Sequence, residues 1–358
     1  MYKNIEFFLG SNTRLGFISR FNEIFNPLKG ERLFILKGGA GCGKSTLMRH
    51  IAKICEQDGN TVEYIPCASD PNSLDAIIVN QKHFAMVDGT APHTVEPIYP
   101  GVYETLVPLG NAFDDEKLAQ NHDKILALNS KISACHLRAT ANIKAAAALL
   151  ENNRISSKSF LNEDKIADFL DMFINEIKDA PKGKIKIRLL SAVSVGEVKF
   201  LEETIRNMCS KIYLIDDLFG ALSYEVLNRI SKFAQDNCLA CILCPCSIMG
   251  DDTLDHILFP DIKVAITTSN SFYTLNKSNI NCILNLQSYD EKSQEVATLN
   301  NQLLIAEDLI ACACMQVKNA KDLHDELEEY YKSAIDFKQV DEMQKAVVKE
   351  IDEMQKLL

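Results

Sequence analysis

Residues 33–48, with the sequence LFILKGGAGCGKSTLM, contain the pattern G-x-x-x-x-G-K-[ST], formed by Gly38, Gly43, Lys44 and Ser45. Glycines let the backbone curl so that successive N–H groups point at a polyphosphate. A lysine at this position can reach the β- and γ-phosphates, and a serine hydroxyl can bind Mg²⁺. The pattern therefore predicts a P-loop that binds a nucleoside triphosphate. The residues predicted to bind it are Gly38, Gly39, Ala40, Gly41, Cys42, Gly43, Lys44, Ser45 and Thr46.

The segments on either side of this pattern have the periodicity that a P-loop requires. Before it, RLFIL is short and apolar, as a buried strand should be. After it, STLMRHIAKIC places Leu47, Met48, Ile51 and Ile54 at helical spacing. A chance glycine-rich turn would lack this order of strand, loop and helix.

A magnesium site of this kind needs an acidic residue at the end of a neighbouring strand. Asp88 closes the apolar run HFAMVD, and we expect it to hold Mg²⁺ together with Ser45. Asp70 follows another apolar run and is predicted to orient water or an acceptor hydroxyl, so the predicted catalytic residues are Lys44, Asp88 and Asp70. Either aspartate has the alternative role of capping a loop or helix. His93 either handles a proton near the phosphates or is an ordinary loop histidine.

The chain contains an internal repeat. A shift of 179 residues places LKGGAGCGKSTLMRHIAKI, residues 36–54, over IDDLFGALSYEVLNRISKF, residues 215–233, without a gap. Gly41 then aligns with Gly220, and the apolar positions coincide. Beyond the helices, Pro66 and Cys67 align with Pro245 and Cys246, and after one inserted residue Leu74 and Asp75 align with Leu254 and Asp255.

The second copy lacks the residues on which P-loop chemistry depends. The differing pairs are Gly38 and Asp217, Gly43 and Leu222, Lys44 and Ser223, Ser45 and Tyr224, and Asp88 and Thr268. Bulky side chains would block the close phosphate approach that glycines permit. We interpret YLIDD, residues 213–217, as the strand that enters a degenerate P-loop. Two alternatives stay open: Asp216 and Asp217 form the acidic pair beside Lys44, or they reach the intact site from the other half.

Each half ends in a glycine-poor helical arm, over about residues 103–180 and 288–358. In the first arm Leu118, Ile125, Leu128 and Ile132 form one helical stripe. We predict a P-loop domain at 1–185 and a degenerate repeat at 186–358, both α/β with mainly parallel sheets. The arms either form a bundle that holds the halves together, or the first arm is a lid whose Arg138 or Arg154 touches phosphates.

The composition limits the class of protein and its partners. The chain has 358 residues, 47% hydrophobic and 24% charged, as in soluble globular proteins. Its formal charge of -11 makes nucleic acid an unlikely partner. No signal peptide and no apolar run of about 18 residues is recognisable, so we expect a cytoplasmic protein with no membrane partner.

Twelve cysteines in a chain of this length do not suggest a disulfide scaffold. Cys238, Cys241, Cys244 and Cys246 have the spacing of a zinc or iron–sulfur site, but the last three lie within the apolar run LACILCPC, residues 239–246. The repeat aligns this run with the apolar stretch TVEYIPC. We therefore favour a buried strand in which cysteine acts as a small hydrophobic residue.

The chain resembles a bacterial family of duplicated, or tandem, P-loop ATPases over most of its length. The matching stretches are GFISRF, ILKGGAGCGKSTLM, CASDPNSLD, DGTAPHTVEPIYPG and LHDELEEYYKSAIDF. Family members usually carry an intact P-loop in both halves, whereas this chain has DDLFGALSY in the second. The resemblance implies the fold and an ATPase activity, but no particular substrate.

The sequence thus predicts an ATP-binding protein and Mg²⁺-dependent ATPase that uses the first P-loop. One alternative is a phosphotransferase for a small molecule or nucleotide, which would need an acceptor pocket. Another is a non-catalytic scaffold or switch whose affinity for a protein or small-molecule partner changes with nucleotide. ATP rather than GTP is an expectation, because no N-K-x-D element follows at the usual place.

Overall fold

The computed structural model describes residues 5–26, 30–91 and 94–355. The chain forms two compact units. The first comprises the described parts of residues 1–10, 19–137 and 317–358, and the second comprises residues 11–18 and 138–316. Each unit is built around one six-stranded sheet.

The strands, in chain order, are β1 (Ile5–Glu6), β2 (Gly10–Thr13), β3 (Gly16–Ser19), β4 (Arg32–Lys37), β5 (Glu63–Cys67), β6 (Asp70–Val79), β7 (Phe84–Asp88), β8 (Glu104–Pro108), β9 (Ile185–Ile187), β10 (Ser191–Val193), β11 (Val198–Phe200), β12 (Lys211–Asp216), β13 (Cys241–Cys246), β14 (Gly250–Phe259), β15 (Val264–Ser269) and β16 (Cys282–Leu284). The α-helices are α1 (Lys44–Gln57), α2 (Asp115–Ala119), α3 (His122–Ser156), α4 (Glu163–Ile177), α5 (Glu202–Met208), α6 (Ala221–Asp236), α7 (Gln294–Ser333) and α8 (Phe337–Gln355).

The two large sheets have the same topology. The first has the order β1-β5-β6-β7-β4-β8, and the second has the order β9-β13-β14-β15-β12-β16. In each sheet three pairings are parallel and the two that involve the long third strand, β6 or β14, are antiparallel. The α/β class is therefore as predicted, with mixed but mostly parallel sheets, and the repeat in sequence corresponds to a repeat in structure.

The repeat extends to an irregularity in the ladder. Pro66 pairs with Leu74 at a register shift between β5 and β6, and Pro245 pairs with Leu254 at the same point between β13 and β14. Proline has no N–H to donate to a sheet, so it is found at such bulges. The aligned proline positions thus have the same structural cause.

The cysteine-rich run is a strand, as the repeat indicated. Cys241, Cys244 and Cys246 lie in β13 and are buried. Burial raises the pKa of the Cys241 thiol to about 12 and raises the pKa of the other two thiols well above the usual range. The three side chains therefore pack as neutral thiols.

The predicted helical arms begin later than expected. Residues 104–108 form β8, which pairs with β4 at the edge of the first sheet. The predicted stripe is helical, although α2 and α3 divide it, and Leu128 is its buried member. The predicted domain boundary at 185/186 falls inside β9. The division of the chain into two domains, at 1–185 and 186–358, stays a prediction.

The long helices α3 and α7 are each divided between the two units. The helix that follows α7 packs in the core of the first unit, and the helix that follows α3 packs in the core of the second. The last helix, α8, buries Val340, Val347 and Ile351 among core residues of the first sheet. Correspondingly, α4 buries Phe169 and Phe173 in the core of the second. Each sheet is therefore covered by a helix that follows, in the sequence, the strands of the other sheet.

Two backbone hydrogen bonds fasten each arm in the same way. Asp114 donates its N–H to Ala334, and Asp336 donates to Ala112, at 2.7 and 2.9 Å. In the second unit Asn162 donates to Leu286 and Ser288 donates to Phe160, at 3.0 and 2.8 Å. No described helix is both long and apolar enough to span a bilayer.

Candidate functional site

The glycine-rich loop, residues 38–43, joins the end of β4 to the start of α1. Gly41 has a φ of +67° and Gly43, the residue before the helix, has a φ of +87°. Residues other than glycine rarely adopt this left-handed conformation. The glycine spacing thus gives the chain a tight reversal directly before a helix N-terminus, where backbone N–H groups have no partner within the helix.

Lys44 folds back across this loop. Its Nζ donates to the carbonyl oxygens of Gly38 and Gly39, both at 2.8 Å, and lies 3.5 Å from Asp88 Oδ2. The side chain of Lys44 is only 12% exposed, so its ammonium group lies within the loop. The lysine therefore links the loop to the strand beside it.

Asp88 reaches the loop because β7 runs parallel to β4. The register pairs Leu36 with Asp88, so both strands end at the same edge of the sheet. One carboxylate oxygen of Asp88 accepts hydrogen bonds from the N–H and the hydroxyl group of Thr90, and the other faces Lys44. The structure thus brings together Lys44 and Asp88, which the sequence separates by more than 40 residues.

Ser45 lies in the first turn of α1, next to Lys44. Its Oγ accepts a hydrogen bond of 3.0 Å from the N–H of Leu74 in β6. A hydroxyl oxygen has two lone pairs, so one remains for a metal ion or a further donor. Ser45 therefore keeps the bonding capacity that its predicted role requires.

Asp70 is held at the start of β6 by the C-terminal arm. Its carboxylate accepts from the N–H of Asn72 at 3.3 Å and lies 3.4 Å from Lys321 Nζ in α7. These contacts favour an anchoring role for Asp70, and its assignment as a catalytic residue stays a prediction. His93, the other candidate near the site, lies outside the described residues.

The C-terminal arm covers the glycine-rich loop. An ideal Cβ atom on Gly39 would lie 2.8 Å from the Tyr331 ring, and one on Gly41 would lie 2.8 Å from Lys332 Cγ. Tyr331 also packs against Phe113, with ring centroids 5.3 Å apart. The glycines therefore permit close contact with the arm as well as a tight turn. Sequence reasoning missed this contact, although it noted LHDELEEYYKSAIDF as a distinctive stretch.

Cys42 occupies the inner side of the loop. Its side chain is buried, and an ideal Cβ on Gly38 would lie 2.6 Å from its Sγ. Burial is the largest cause that raises the pKa of the Cys42 thiol, and nearby Lys44 opposes it. Cys42 therefore packs as a neutral thiol and contributes to the loop through its backbone.

The equivalent loop of the second unit holds a carboxylate of its own. Asp217 is 3% exposed, and its two oxygens accept from the N–H groups of Phe219, Gly220 and Ser223, at 3.3, 3.0 and 2.7 Å. The Ser223 hydroxyl and the Gln287 amide also donate to it, at 2.9 and 3.2 Å. The backbone N–H groups of this loop thus face the carboxylate of Asp217.

The second loop is also shorter than the first. Under the 179-residue shift Ala221 aligns with Cys42, so α6 begins two residues earlier in the repeat than α1, which begins at Lys44. Leu222 is fully buried. These differences agree with the interpretation of YLIDD as a strand entering a degenerate loop.

One alternative for Asp216 and Asp217 fails on the topology. It required β12 to lie beside β4, but the neighbours of β4 are β7 and β8. Asp216 instead pairs with Lys277 at 2.7 Å. The alternative that places these acids at the intact site from the other half stays untested.

The alternative in which the first arm is a lid whose Arg138 or Arg154 touches phosphates stays untested. Arg154 lies in the second unit, where its guanidinium group stacks over the Tyr224 ring at 3.8 Å and pairs with Glu151. Its side chain approaches Gly220, with Cβ 3.9 Å from an ideal Cβ there. Arg138 is an exposed residue of α3. The described cover of the intact loop comes from the second arm.

A separate cluster of buried titratable groups lies in the second unit. The Tyr273 hydroxyl donates to Asp255 at 2.6 Å, and Thr267 is hydrogen-bonded to His256 Nδ1 at 2.6 Å. The Phe200 ring stacks on both His256 and Tyr273. Burial raises the pKa of Asp255 to about 6 and lowers the pKa of His256 to about 3. At neutral pH the cluster holds a neutral histidine beside a carboxylate.

The comparison with known families concerns the segment around the glycine-rich loop. The family model described as nephrocystin 3, N-terminal, matches residues 18–79, which run from β3 to the end of β6. The match covers well under half of the chain, so the likeness is one of this segment. No curated protein and no solved structure matches the chain.

Proposed function

We propose that the first unit binds a nucleoside triphosphate, expected to be ATP, at the glycine-rich loop and hydrolyses it with Mg²⁺. The observation that carries this proposal is the placement of Lys44. Its ammonium group lies between the loop carbonyls and Asp88, at the point where a parallel strand ends and a helix begins. A nucleotide at this position would have a cation and a metal-binding carboxylate next to its terminal phosphates.

The donor set fits Mg²⁺ bound to a triphosphate. Magnesium prefers oxygen ligands and takes few of them from the protein. Ser45 retains a lone pair on its hydroxyl, and Asp88 has the oxygen that now faces Lys44. Bound there, Mg²⁺ would neutralise charge on the β- and γ-phosphates.

The chain's own groups then have distinct tasks. The backbone N–H groups of residues 38–43 and the N-terminus of α1 would bind phosphate oxygens. Lys44 would move from the loop carbonyls to the phosphates and stabilise the charge of the transferring group. Asp70 retains its proposed role of orienting water or an acceptor, and this is the part of the assignment that its contacts favour least.

The test is Mg²⁺-dependent binding and hydrolysis of ATP and GTP by the wild type and by three variants. Lys44→Ala should weaken triphosphate binding at least about 100-fold, or roughly 2.7 kcal/mol. Asp88→Asn should keep nucleotide binding but lose its dependence on Mg²⁺. Lys53→Ala is the matched control, because Lys53 is an exposed lysine of the same helix, α1.

Three outcomes separate the proposed activity from its alternatives. An ATPase turns over without a second substrate, whereas a phosphotransferase accelerates only when an acceptor is supplied. A scaffold binds nucleotide tightly and releases no phosphate. Equal binding by wild type and Lys44→Ala would refute the site itself.

A further inference from the structure

The C-terminal arm places a second lysine on the glycine-rich loop. The aliphatic chain of Lys332 lies along Gly41, with Cγ, Cε and Cδ at 2.8, 3.2 and 3.5 Å from an ideal Cβ there. Neighbouring Tyr331 fixes this part of α7, because its ring is packed between Gly39 and Phe113. Lys332 is therefore anchored by its stem against the loop that is proposed to bind phosphate.

The charged end of Lys332 is held by two glutamates of its own helix. Its Nζ lies 2.8 Å from Glu328 and 3.5 Å from Glu329. The hydrogen bond to Glu328 is the main cause that raises the pKa of Lys332, so the side chain is positively charged at neutral pH. The side chain is 43% exposed, and ion pairs at such positions contribute little stability. The ammonium group can therefore exchange these partners for a more highly charged one.

The second unit repeats this arrangement. Arg154, near the end of α3, places its Cβ and Cγ at 3.9 and 4.0 Å from an ideal Cβ on Gly220, the residue that aligns with Gly41. Its charged end is likewise held by a glutamate of its own helix, Glu151. Each arm thus places a basic residue over the equivalent glycine of its unit, Gly41 or Gly220. In the second unit the anion in the loop is the carboxylate of Asp217.

We propose that Lys332 is a second phosphate-binding cation of the glycine-rich loop, supplied by the C-terminal arm. This inference rests on the proposed nucleotide site. A triphosphate that carries one Mg²⁺ retains about two negative charges, and Lys44 offsets one of them. Lys332 is anchored where its ammonium group can offset the other once it leaves Glu328 and Glu329. Binding of the phosphates would then draw the Lys332 ammonium group away from these glutamates, while the arm stays packed on the loop.

The experiment measures ATP and ADP affinity, with Mg²⁺, in five proteins: wild type, Lys332→Gln, Lys332→Arg, Glu328→Gln and Lys318→Gln. Lys332→Gln should weaken ATP binding about ten-fold, and Lys332→Arg should restore most of that loss because it keeps the charge. Glu328→Gln should act in the opposite direction and tighten binding about two- to three-fold, because it removes a competitor for the ammonium group. Lys318 is an exposed lysine of the same helix, and its variant should bind as wild type does.

The outcomes distinguish this inference from the proposed function. If wild type binds ATP and Lys44→Ala does not, the nucleotide site stands. Unchanged ATP affinity in Lys332→Gln would then overturn the role of Lys332 alone. A loss of affinity in Lys332→Arg equal to that in Lys332→Gln would also overturn it, because packing and not charge would be responsible. If wild type binds no nucleotide, both ideas fail. Melting temperatures without nucleotide should agree among all five proteins.

Discussion

Replacement of Asp217 tests whether the second loop is filled by its own carboxylate. Asp217→Ala removes the acceptor of five hydrogen bonds, three of them from backbone N–H groups at and just before the start of α6. The two bonds from Ser223, at 2.7 and 2.9 Å, are the shortest. Hydrogen bonds to a charged group contribute about 1.5–3 kcal/mol each, but water will replace part of them. We therefore expect a loss of about 3 kcal/mol in the free energy of unfolding.

Thermal unfolding followed by circular dichroism measures this loss. For a unit of about 150–250 residues each kcal/mol lowers the melting temperature by about 2–4 °C, so Asp217→Ala should melt roughly 6–12 °C below wild type. Asp217→Asn keeps one acceptor oxygen and should lie between the two.

Formate provides the specific control, because it is a carboxylate no larger than the group that the substitution removes. The vacated N–H groups form an anion site at a helix N-terminus, so formate should raise the melting temperature of Asp217→Ala. Asp217→Ala and the protein that retains Asp217 are compared in a Lys44→Ala background, which weakens anion binding at the first loop. In that background the protein that retains Asp217 should not respond to formate.

Two results would refute this reasoning. A melting temperature of Asp217→Ala equal to that of wild type would show that the carboxylate does not stabilise the loop. Loss of ATP hydrolysis at unchanged melting temperature and ATP affinity would instead make Asp217 part of the active site.

The remaining predictions concern the covered loop and the buried cluster. Gly39→Ala should cost about 1–3 kcal/mol because its Cβ would lie 2.8 Å from the Tyr331 ring, and adding Tyr331→Ala should recover much of the loss in a double-mutant cycle measured by urea unfolding. Burial lowers the pKa of His256 to about 3, so protonation of the unfolded chain destabilises the protein as the pH falls below about 6.5. Asp255, with its pKa raised to about 6, has the opposite effect over about pH 6 to 4, since the native state then takes up a proton. The free energy of unfolding of Asp255→Asn should therefore fall by about 1.4 kcal/mol per pH unit as the pH is lowered through that range. In the wild type the opposite effects of His256 and Asp255 nearly cancel there, so its free energy of unfolding should stay nearly constant. Equal slopes in the two proteins would contradict the assignment.

The local elements around the glycine-rich loop could be predicted because their signals are local. Strand β4, the loop and α1 follow from an apolar run, glycine spacing and helical periodicity within residues 32–57. Asp88 could be assigned to the same edge because it closes an apolar run, and parallel strands end together. The common topology of the two sheets follows from the 179-residue repeat, since equal apolar patterns at equal spacing favour equal strand order.

The partners of the arms could not be predicted in the same way. The apolar face of α8 indicates that this helix is buried, but its periodicity does not say which sheet it covers. The role of Asp217 could not be predicted from the sequence either. Two acidic residues at the end of a strand occur both in magnesium sites and in loops whose N–H groups bind a carboxylate of the same loop. Only the hydrogen bonds of Asp217 to Gly220 and Ser223 distinguish the two.

The position of α8 in the core of the first sheet, although it is the last helix of the chain to be described, affects the order in which the two units can fold during synthesis. Domains usually fold in the order of synthesis, from the N-terminus onward. Here the core of the first unit includes Val340, Val347 and Ile351, whereas the second unit ends at residue 316. A ribosome will therefore have delivered every residue of the second unit while the first still lacks its last helix. The first sheet is therefore translated first but completed last. Until α8 emerges from the ribosome, the apolar face of this sheet is uncovered and can be bound by chaperones.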